Sequence, residues 1–428
     1  MNSSALTTSQ SCQSLTDWLA FIEQSHPIDQ IELGLARVQK VAARGALQHL
    51  PGIKILLAGT NGKGSSARCL EQLLLTQGYS VGVYTSPHLL HFNERLRLNG
   101  VDAADALWVE GLRQVEALRD DVPLTYFEFT TLAAFAILIR QQPDICIIEV
   151  GLGGRLDATN IITPDASVIT TIDLDHQDWL GNDRESIGRE KAGIFRAGRL
   201  AVVGDLDVPD SVLTAATSLA VRLQLVHRDY RYGLAEDGLT WYWQGSAQEL
   251  SALPLTKLPM QNIATCLACL EALQLLPPPD KIAKVLSELT LPGRMQWLQQ
   301  QPAILLDVAH NPQSAAYLAA QLALLAPRYE RIHVLVGMLK DKDMQQSLAD
   351  FAGLVSHWHC AGLPSPRGAS ADLLAAQVPA GAAVSCYSDV GSAWASLQTQ
   401  LQPTDFVLIF GSFVTVSQFL ALWQQGNV

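Results

Sequence analysis

The sequence has little charge of either sign and no excess of basic residues. Only 16% of its 428 residues are charged, and the net charge at pH 7 is −12. No local cluster of Lys and Arg offsets this acidic balance, so a nucleic-acid-binding surface is not expected. An anionic ligand would have to be held by a few placed cations rather than by the field of the whole protein.

Long apolar runs and paired cysteines are also missing. The longest fully apolar run, residues 132–139, is far shorter than a membrane span, and residues 1–16 lack the features of a signal peptide. Among the seven scattered cysteines, Cys266 and Cys269 have CxxC spacing. They lie in a helical pattern without a second pair, which favours a helix core over a metal or redox site. We expect a reduced, cytoplasmic protein with no membrane partner.

Length and patterning indicate two α/β domains. A chain of 428 residues with 48% apolar content exceeds what one core usually organises. Predicted strands alternate with helices, which is typical of a mainly parallel sheet covered on both faces. Strand pieces occupy residues 222–243, with a hairpin turn at Asp237-Gly238, and a helix is predicted over residues 261–276. Leu291-Pro-Gly293 is interpreted as a hinge between domains 1–293 and 294–428.

A glycine-rich stretch joins the first buried strand to a helix. Residues 53–58 are mostly apolar, Gly59-Thr-Asn-Gly-Lys-Gly-Ser65 follows, and helical spacing of apolar residues comes next. This context suits a phosphate-binding loop, in which backbone N–H groups face an anion and Lys63 reaches the terminal phosphates. The chain departs from the general phosphate-loop pattern at two positions. It has Leu57 where the pattern has glycine, and Gly64 where the pattern has a serine or threonine hydroxyl. The alternative is a tight turn without a ligand, but a lysine between two glycines favours a nucleotide site.

Three other polar residues follow predicted strands: Ser86, Glu149 and His176. Ligands of doubly wound sheets bind at the carboxyl ends of strands, so these groups are expected beside the glycine loop. A hydroxyl and a carboxylate suit Mg²⁺, whereas imidazole is an unusual ligand for it. The alternatives are a strand-end ion pair for Glu149 and an ordinary loop histidine at 176. Lys191, considered alone, is expected to be a solvated surface lysine.

The second domain repeats the alternation of strands and helices. Strands are predicted near residues 304, 334, 355, 384 and 407. Asp307-Val-Ala-His-Asn-Pro312 ends the first of them and caps a helix, with Asn311 as N-cap and Pro312 at the first helical position. Capping explains Asn311 and Pro312 but leaves Asp307 and His310 without a structural reason.

Seven segments together resemble the folylpolyglutamate synthase family within the Mur ligase superfamily. They are Gly59-Thr-Asn-Gly-Lys-Gly-Ser65, Thr85-Ser-Pro-His88, Glu149-Val-Gly-Leu-Gly-Gly-Arg-Leu-Asp-Ala-Thr-Asn160, Asp175-His176, Arg189-Glu-Lys-Ala-Gly-Ile-Phe195, Leu291-Pro-Gly-Arg294 and Asp307-Val-Ala-His-Asn-Pro312. The likeness runs from about Trp18 to the C-terminus and is strongest to the bifunctional bacterial members. The loop of this family reads as the loop does here, so Leu57 and Gly64 no longer count against it.

The resemblance implies a role for each matching residue. The ATP phosphates would be held by Asn61, Gly62, Lys63, Gly64 and Ser65, and the rest of the nucleotide by Asn262, Arg294 and Asp307. Two Mg²⁺ ions would be bound by Ser86, Glu149, His176 and a carbamylated Lys191, and a monovalent cation such as K⁺ is a further candidate. The pterin substrate would contact Ile31, Glu32, Leu33, Thr125, Tyr126, Phe127, Glu128, Leu156, Asp157 and Ala158. His310 and Ser412 would lie near phosphate and glutamate, and Lys63, Lys191 and His310 would be catalytic.

The resemblance also implies the reaction and the architecture. An ATP-dependent ligase would add L-glutamate to dihydropteroate and to reduced folates through an acyl phosphate, releasing ADP and phosphate. A P-loop-type ATPase domain would be followed by a smaller Rossmann-like domain, in a monomeric, cytoplasmic enzyme.

Three alternatives stay open alongside this interpretation. One is a monofunctional folylpolyglutamate synthase or a related ligase acting on a cell-wall precursor. Another is a GTPase-like module, for which Asp178-Trp-Leu-Gly181 fits a switch pattern but an Asn-Lys-x-Asp motif is missing. The third is a binding protein without catalysis, which Lys63, Glu149, His176 and Lys191 disfavour.

Overall fold

The computed structural model describes residues 9–28 and 30–426, and it divides into two compact units. The first comprises the described residues up to His88 together with Phe92–Leu289, and the second comprises Leu89–His91 and the described residues from Thr290 onward. Two predictions fall partly outside the described residues, because positions 1–8 belong to the segment that lacks signal-peptide features and position 29 belongs to the predicted loop 25–34.

An eight-stranded sheet organises the first unit. Its strands are β1 (Ile53–Ala58), β2 (Val81–Tyr84), β3 (Leu96–Leu98), β4 (Val101–Asp102), β5 (Ile145–Glu149), β6 (Ala166–Ile169), β7 (Leu200–Val203) and β8 (Arg222–Leu225). The spatial order is β4-β3-β2-β5-β1-β6-β7-β8. In this order, all pairings from β2 to β8 are parallel, and the β2–β3 and β3–β4 pairings are antiparallel. The prediction of a mainly parallel sheet is therefore confirmed.

Ten helices and a small sheet complete the described part of this unit. The helices are α1 (Leu15–Ser25), α2 (Ala36–Gly45), α3 (Lys63–Leu75), α4 (Asp105–Arg119), α5 (Tyr126–Gln141), α6 (Gln177–Leu180), α7 (Arg184–Ala192), α8 (Asp210–Ser218), α9 (Met260–Ala272) and α10 (Pro279–Glu288), and 3-10 turns span Ser9–Ser11, Phe92–Arg95 and Ala158–Ile161. The antiparallel sheet contains β9 (Arg231–Leu234), β10 (Thr240–Gln244) and β11 (Glu249–Pro254). Asp237-Gly238 lies in the turn between β9 and β10, as predicted.

Local sequence signals set several helix boundaries. The side chains of Ser14 and Asp17 form a capping box at α1, and those of Thr125 and Glu128 form another at α5. Helix α5 is apolar on nearly all sides because it is buried along most of its length. Strands β1 and β5 are likewise buried at the centre of the sheet, which explains their continuous apolar runs.

The second unit is built on a six-stranded sheet. Its strands are β12 (Gln296–Gln300), β13 (Ala303–Leu306), β14 (Ile332–Val336), β15 (His357–Ala361), β16 (Ala383–Tyr387) and β17 (Phe406–Phe410), in the order β12-β13-β17-β14-β15-β16. The helices are α11 (Pro312–Leu325), α12 (Met344–Ala349), α13 (Ala371–Ala375), α14 (Val390–Gln398) and α15 (Phe413–Gln424), with a 3-10 turn at Ala326–Arg328. Only β12 is antiparallel. Two apolar clusters cover the faces of this sheet.

The structure corrects two details of the predicted secondary structure. The helix predicted to reach residue 276 ends at Ala272, because Gln274 adopts a left-handed conformation that turns the chain before the prolines. Pro278 is instead the N-cap residue of α10. Strand β12 was not predicted, since its sequence Gln-Trp-Leu-Gln-Gln is largely polar and lies at the sheet edge. None of the helices in the described part of the chain has the length and apolar character that crossing a bilayer requires.

Candidate active site

Four neighbouring strands bring the predicted polar groups to one edge of the first sheet. In the order β2-β5-β1-β6, Ser86 follows β2, Glu149 ends β5, the glycine loop follows β1, and His176 lies beyond β6. Parallel strands place their carboxyl ends at the same edge, so these groups belong to one region of the unit. The prediction that they follow strand ends is confirmed.

The glycine loop is held in place by the end of β6. The backbone N–H of Asn61 donates to Thr171 Oγ1 at 3.0 Å, and Thr170 Oγ1 donates to the carbonyl of Asn61 at 2.5 Å. Thr60 Oγ1 donates to the carbonyl of Asp173 and accepts from its N–H, each at 3.0 Å. The motif did not reveal these hydroxyl partners, because they lie some 110 residues away along the chain. They give the loop a defined shape without a ligand.

Helix α3 begins within the glycine loop, at Lys63. Gly62 is its N-cap residue and has a left-handed conformation (φ 89°). The first-turn N–H groups of the helix therefore face the loop, as anion binding at a helix N-terminus requires. Lys63 Nζ donates to the carbonyl of Gly59 at 2.8 Å. Ser65 is almost completely buried. The side-chain amide of Asn262, on α9, lies directly against Gly62. Asn262 was predicted to contact the nucleotide, and the structure places it against the loop that was predicted to hold the phosphates.

Glu149 is a buried carboxylate next to Ser86. The backbone N–H of Ser86 donates to Glu149 Oε2 at 3.2 Å, and only 5% of Glu149 is exposed. A carboxylate at the end of a central strand is the kind of oxygen ligand that Mg²⁺ takes.

Lys191 is buried, which contradicts the expectation of a solvated surface lysine. It lies on α7 with 3% of its surface exposed. Burial and, to a smaller extent, the charge of Lys63 lower its pKa to about 7, against the opposing charge of Asp175. Asp175 is itself buried and accepts a hydrogen bond from the N–H of His176 at 2.8 Å. Sequence reasoning alone missed this burial, since α7 is a short polar helix whose packing is not visible in its pattern.

The loop that follows β5 packs against the helix that carries Lys191. A Cβ at Gly154 would lie 2.8 Å from the carbonyl of Glu190 and 3.1 Å from that of Lys191. Arg155 fastens the contact through its N–H to the Glu190 carbonyl at 2.8 Å and through a side-chain ion pair with Glu190 at 2.8 Å. The glycines of this loop were expected to serve a ligand, and part of their role is this close approach to α7.

Arg37 links two of the segments predicted to bind the pterin. Its guanidinium pairs with Glu32 Oε2 at 2.8 Å and with Glu128 Oε2 at 3.2 Å. The N–H of Gly34 donates to the carbonyl of Leu156 at 3.3 Å, which joins the third segment. The structure therefore brings residues 31–33, 125–128 and 156–158 together. Arg37 was missed because nothing in its local sequence identifies its distant partner.

The residues predicted to bind the pterin differ in how much of each side chain is exposed to a substrate. Asp157 is 2% exposed, and its carboxylate accepts from the N–H groups of Leu152 and Thr159, each at 2.9 Å. Burial raises its pKa. Tyr126 is buried and Phe127 half-buried, with the Phe127 ring against Gly151. Asp157 therefore shapes its own loop, whereas Phe127 offers an accessible ring surface.

A second set of predicted residues converges at the carboxyl ends of β13 and β17 in the second unit. Asp307 accepts from the N–H groups of Met295 at 2.9 Å and Ala309 at 2.8 Å, and burial raises its pKa against the opposing charges of Arg294 and His310. The guanidinium of Arg294 lies 5.1 Å from the ring centroid of Phe413, which sequence reasoning missed. Ser412 is buried and caps α15, as Asn311 caps α11.

The comparisons with known proteins cover nearly the whole chain. Residues 57–211 match the Mur ligase middle domain, and residues 293–413 match the glutamate ligase domain of Mur ligases. The Escherichia coli (strain K12) dihydrofolate synthase/folylpolyglutamate synthase is 41% identical over 414 residues, which cover 96% of each chain. The chain belongs to the dihydrofolate synthase/folylpolyglutamate synthase family.

Solved structures of this family agree with the fold. One of Escherichia coli FolC in complex with DHPP and ADP has a TM-score of 0.92 and 39% identity, covering 97% of this chain and 99% of that one. A bifunctional folylpolyglutamate synthase/dihydrofolate synthase with Mn, AMPPNP and L-glutamate bound has a TM-score of 0.89 and 43% identity, covering 96% and 98%. The ATPase-type sheet and the second α/β domain are thus those of the family.

The residues present fit a nucleotide and a divalent ion. The fit rests on the oxygen chemistry of the buried Glu149 carboxylate and on the close approach of Asn262 to Gly62, which leaves no room for a Cβ in the loop. The hydroxyl of Ser86 and the imidazole of His176 follow neighbouring strands of the same edge. The carboxylate and hydroxyl oxygens are the ligands that Mg²⁺ and Mn²⁺ prefer, and the imidazole is the unusual member of the set.

Proposed function

We propose that this chain is an ATP-dependent ligase that adds L-glutamate to 7,8-dihydropteroate and further glutamates to reduced folates. ATP and a divalent metal ion are its cofactors, and ADP and phosphate are released. The structural observation that carries the proposal is the burial of Lys191 next to the charges of Lys63 and Asp175, at the edge where the phosphate loop lies. The 41% sequence identity with the Escherichia coli relative, in an alignment that covers 96% of this chain, supports the same assignment.

The first step that the fold must support is activation of a carboxylate. A carboxylate is a poor electrophile, so the terminal phosphoryl group of ATP is transferred to it, giving an acyl phosphate with a good leaving group. Residues 61–65 would hold the ATP phosphates through backbone N–H groups, with Lys63 as a mobile charge. Ser86, Glu149, His176 and Lys191 would hold two Mg²⁺ ions. When bound, these ions supply positive charge that offsets the charge on the phosphoryl oxygens.

The second step forms the amide. The amino group of glutamate attacks the acyl phosphate carbon, a tetrahedral intermediate forms, and phosphate leaves. The protein contributes positioning, and aligned reactants account for about 7–11 kcal/mol of the barrier in favourable cases. His310 and Ser412 would lie near phosphate and glutamate, and Asn262, Arg294 and Asp307 would contact the nucleotide.

Lys191 would act after carbamylation. A neutral amine adds to the carbon of CO₂ and releases a proton, so a buried cation becomes an anionic oxygen ligand. The lowered pKa, about 7, supports this proposal, because a substantial fraction of the side chain is unprotonated near neutral pH. An unmodified ammonium would instead repel a metal ion and Lys63.

The pterin would bind along the three segments joined by Arg37. Ile31, Glu32 and Leu33 would form one wall, Thr125, Tyr126, Phe127 and Glu128 a second, and Leu156, Asp157 and Ala158 a third. Glu128 Oε1 is buried without a hydrogen-bond partner within the described residues, and Phe127 is half-buried. A polar oxygen and a ring surface are the features that a flat heterocycle with N–H donors requires.

The domain assignment belongs to the same proposal. Residues 1–293 would bind ATP and the pterin, and residues 294–428 would complete the site. The acyl phosphate reacts with water, so closure about residues 291–293 would protect it. Small-angle scattering with and without nucleotide and substrate tests closure, and identical radii of gyration would contradict it. Three further predictions are that the enzyme is monomeric, that it is cytoplasmic, and that a monovalent cation such as K⁺ is a candidate cofactor.

One assay tests the function directly. Labelled glutamate and ATP are offered with dihydropteroate or with tetrahydrofolate in separate reactions, and incorporation and ADP release are measured. We expect incorporation with both acceptors at one ADP per glutamate added. Incorporation into only one acceptor would show a monofunctional enzyme. Incorporation into neither, by protein that still binds ATP, would contradict the assignment.

A further inference from the structure

Three histidines meet on one face of the sheet in the second unit. His333 is the second residue of β14, and His357 and His359 are the first and third residues of β15. His333 pairs in register with His357, so all three side chains lie on the same face. They occupy the amino-terminal part of their strands, whereas Asp307 and Ser412 lie at the carboxyl ends of parallel strands. The cluster is therefore separate from the residues proposed for ligation in this unit.

The three ring nitrogens lie close together, and two of them have the spacing of metal ligands. One ring nitrogen from each histidine lies within 4.8 Å of the others. His333 Nδ1 and His359 Nε2 are 3.3 Å apart. Two imidazole nitrogens bound to one tetrahedral ion are separated by roughly 3.3 Å, because each metal–nitrogen bond is about 2.0–2.1 Å long.

Two of the histidines also have hydrogen-bond partners in a second layer. His357 Nε2 lies 2.9 Å from Ser385 Oγ, and His359 Nδ1 lies 3.3 Å from the hydroxyl of Tyr387. Such partners orient the ring and leave the other nitrogen free for a metal. His333 Nε2 lies 3.8 Å from Asp405 Oδ2, beyond hydrogen-bond distance.

The surroundings favour neutral imidazoles. His333 and His359 are buried, and His357 is half-buried. Burial lowers the pKa of all three, that of His359 to about 3, with the neighbouring histidines contributing for His333 and His359. The nearby cation, Arg331, is paired with Asp405 at 2.9 Å and 2.6 Å. Neutral imidazole is the form that binds metal, and no unpaired cation of the cluster opposes it.

We propose that His333, His357 and His359 bind one divalent transition-metal ion of the zinc class. Imidazole selects Zn²⁺, Co²⁺, Ni²⁺ or Cu²⁺ over Mg²⁺, which prefers oxygen. The site is distinct from the proposed magnesium site at Glu149. Half-buried His357 provides the side from which an ion enters.

The test uses the full-length protein, stripped with a chelator and then saturated with Mg²⁺ and a non-hydrolysable ATP analogue. Zn²⁺ is titrated in competition with a chromophoric chelator, and Co²⁺ binding is followed by visible absorption. We expect one equivalent of Zn²⁺ and the intense bands of a tetrahedral, nitrogen-bound Co²⁺. Failure of the protein to bind an equivalent would overturn the proposal.

Variants assign the bound ion to the cluster. His357→Gln, at the half-buried edge, and His359→Gln should each weaken Zn²⁺ binding on the order of 100-fold or more. Tyr387→Phe removes only the hydroxyl behind His359 and should weaken binding about 10-fold. His49→Gln, at an exposed position, is the matched control and should bind as the wild type does.

Two outcomes separate this site from the ligase site. The His176→Ala variant, changed in the proposed magnesium site, should still bind one equivalent of Zn²⁺. If this variant no longer binds Zn²⁺, the proposal is overturned. Unchanged Zn²⁺ affinity in His357→Gln would overturn it as well. Ligase activity of His357→Gln serves as the check that the variant is folded, so a folding defect is not mistaken for loss of a ligand.

Discussion

The side-chain amide of Asn262 lies against Gly62, so closely that a Cβ at Gly62 would come within 2.7 Å of Asn262 Nδ2 and 2.8 Å of its Cγ. The two residues are 200 positions apart in the sequence. Gly62 is the N-cap residue of α3, and Asn262 is the third residue of α9. Glycine is therefore needed at position 62 for two reasons: the turn has a left-handed backbone there, and Asn262 leaves no room for a side chain.

Gly62→Ala is expected to weaken ATP binding by 10-fold or more. The added methyl group would displace Asn262, and the left-handed backbone would cost about 1–2 kcal/mol. Gly78→Ala is the matched control, since Gly78 has the same φ of 89° but no atom within 4 Å of a Cβ. Titration with ATP measures both. Equal losses in the two variants would show that the Asn262 contact is irrelevant.

Lys63→Ala is expected to lower kcat by about 100-fold to 1000-fold while the protein stays folded. The Lys63 ammonium donates to two loop carbonyls, that of Gly59 at 2.8 Å and that of Thr60 at 3.4 Å, so its loss leaves the apolar core intact. Initial rates and thermal unfolding measure the two effects. Lys40→Ala, at an exposed position on α2, should behave as the wild type. Near-normal turnover of Lys63→Ala would defeat the ligase assignment.

Lys191→Ala is expected to lose ligation and to regain part of it when short carboxylic acids are added. A small carboxylate would enter the space left by the buried side chain and replace the carbamate oxygens. Activity is measured against the concentration of acetate or formate. Lys63→Ala is the matched control and should not respond, because it lacks a cation and not an anion. Equal rescue of both variants, or of neither, would argue against carbamylation.

Arg37→Gln is expected to raise the KM for dihydropteroate about 10-fold and to leave the KM for ATP unchanged. The substitution leaves the buried carboxylate of Glu128 without its cation, and an unpaired buried charge disturbs the segment that carries it. Arg44→Gln on the same helix is the control, since Arg44 donates to the carbonyls of Leu118 and Arg119 instead. Parallel changes in both KM values would place Arg37 outside the pterin region.

Asp389→Ala is expected to lower the free energy of unfolding by about 1 kcal/mol at neutral pH through loss of the α14 cap. Hydrogen bonds from the Ser388 hydroxyl and the Ser392 N–H lower the pKa of Asp389. Because the folded pKa lies below the unfolded one, the stabilisation is complete above the unfolded value, near 3.8, and is lost as the pH falls through the folded value.

Urea unfolding at pH 7 and below pH 4 measures this difference. The gap between wild type and Asp389→Ala should shrink at the lower pH. Asp389→Asn keeps the cap without a titrating group, so its advantage over Asp389→Ala should not change with pH. A gap between wild type and Asp389→Ala that is the same at both pH values would contradict the linkage.

Local signals accounted for much of the fold. The cap at Asn311, the buried strands and the loop around Lys63 each depend on a few consecutive residues, so they were predictable. The end of α9 and strand β12 were not, because a left-handed residue at Gln274 and pairing at a sheet edge leave little trace in hydrophobic patterning.

The candidate site divides in the same way. Ser86, Glu149 and His176 could be grouped from sequence, because parallel strands share one carboxyl edge whatever their side chains. The hydroxyl partners of the loop, the role of Arg37 and the stacking of Phe413 under Arg294 could not. Each depends on residues that are far apart in the chain, and a single sequence carries no record of that proximity.

By itself, the sequence determined the class of the domains, the phosphate-binding loop and, through its motifs, the family. Those features are short-range or are written in residue identities. Only the tertiary structure decided that Lys191 is buried, that Asn262 covers Gly62 and that three histidines meet across β14 and β15. Burial and proximity arise from how distant segments pack, and they convert an ordinary lysine or histidine into a group with altered proton affinity and possible ligands.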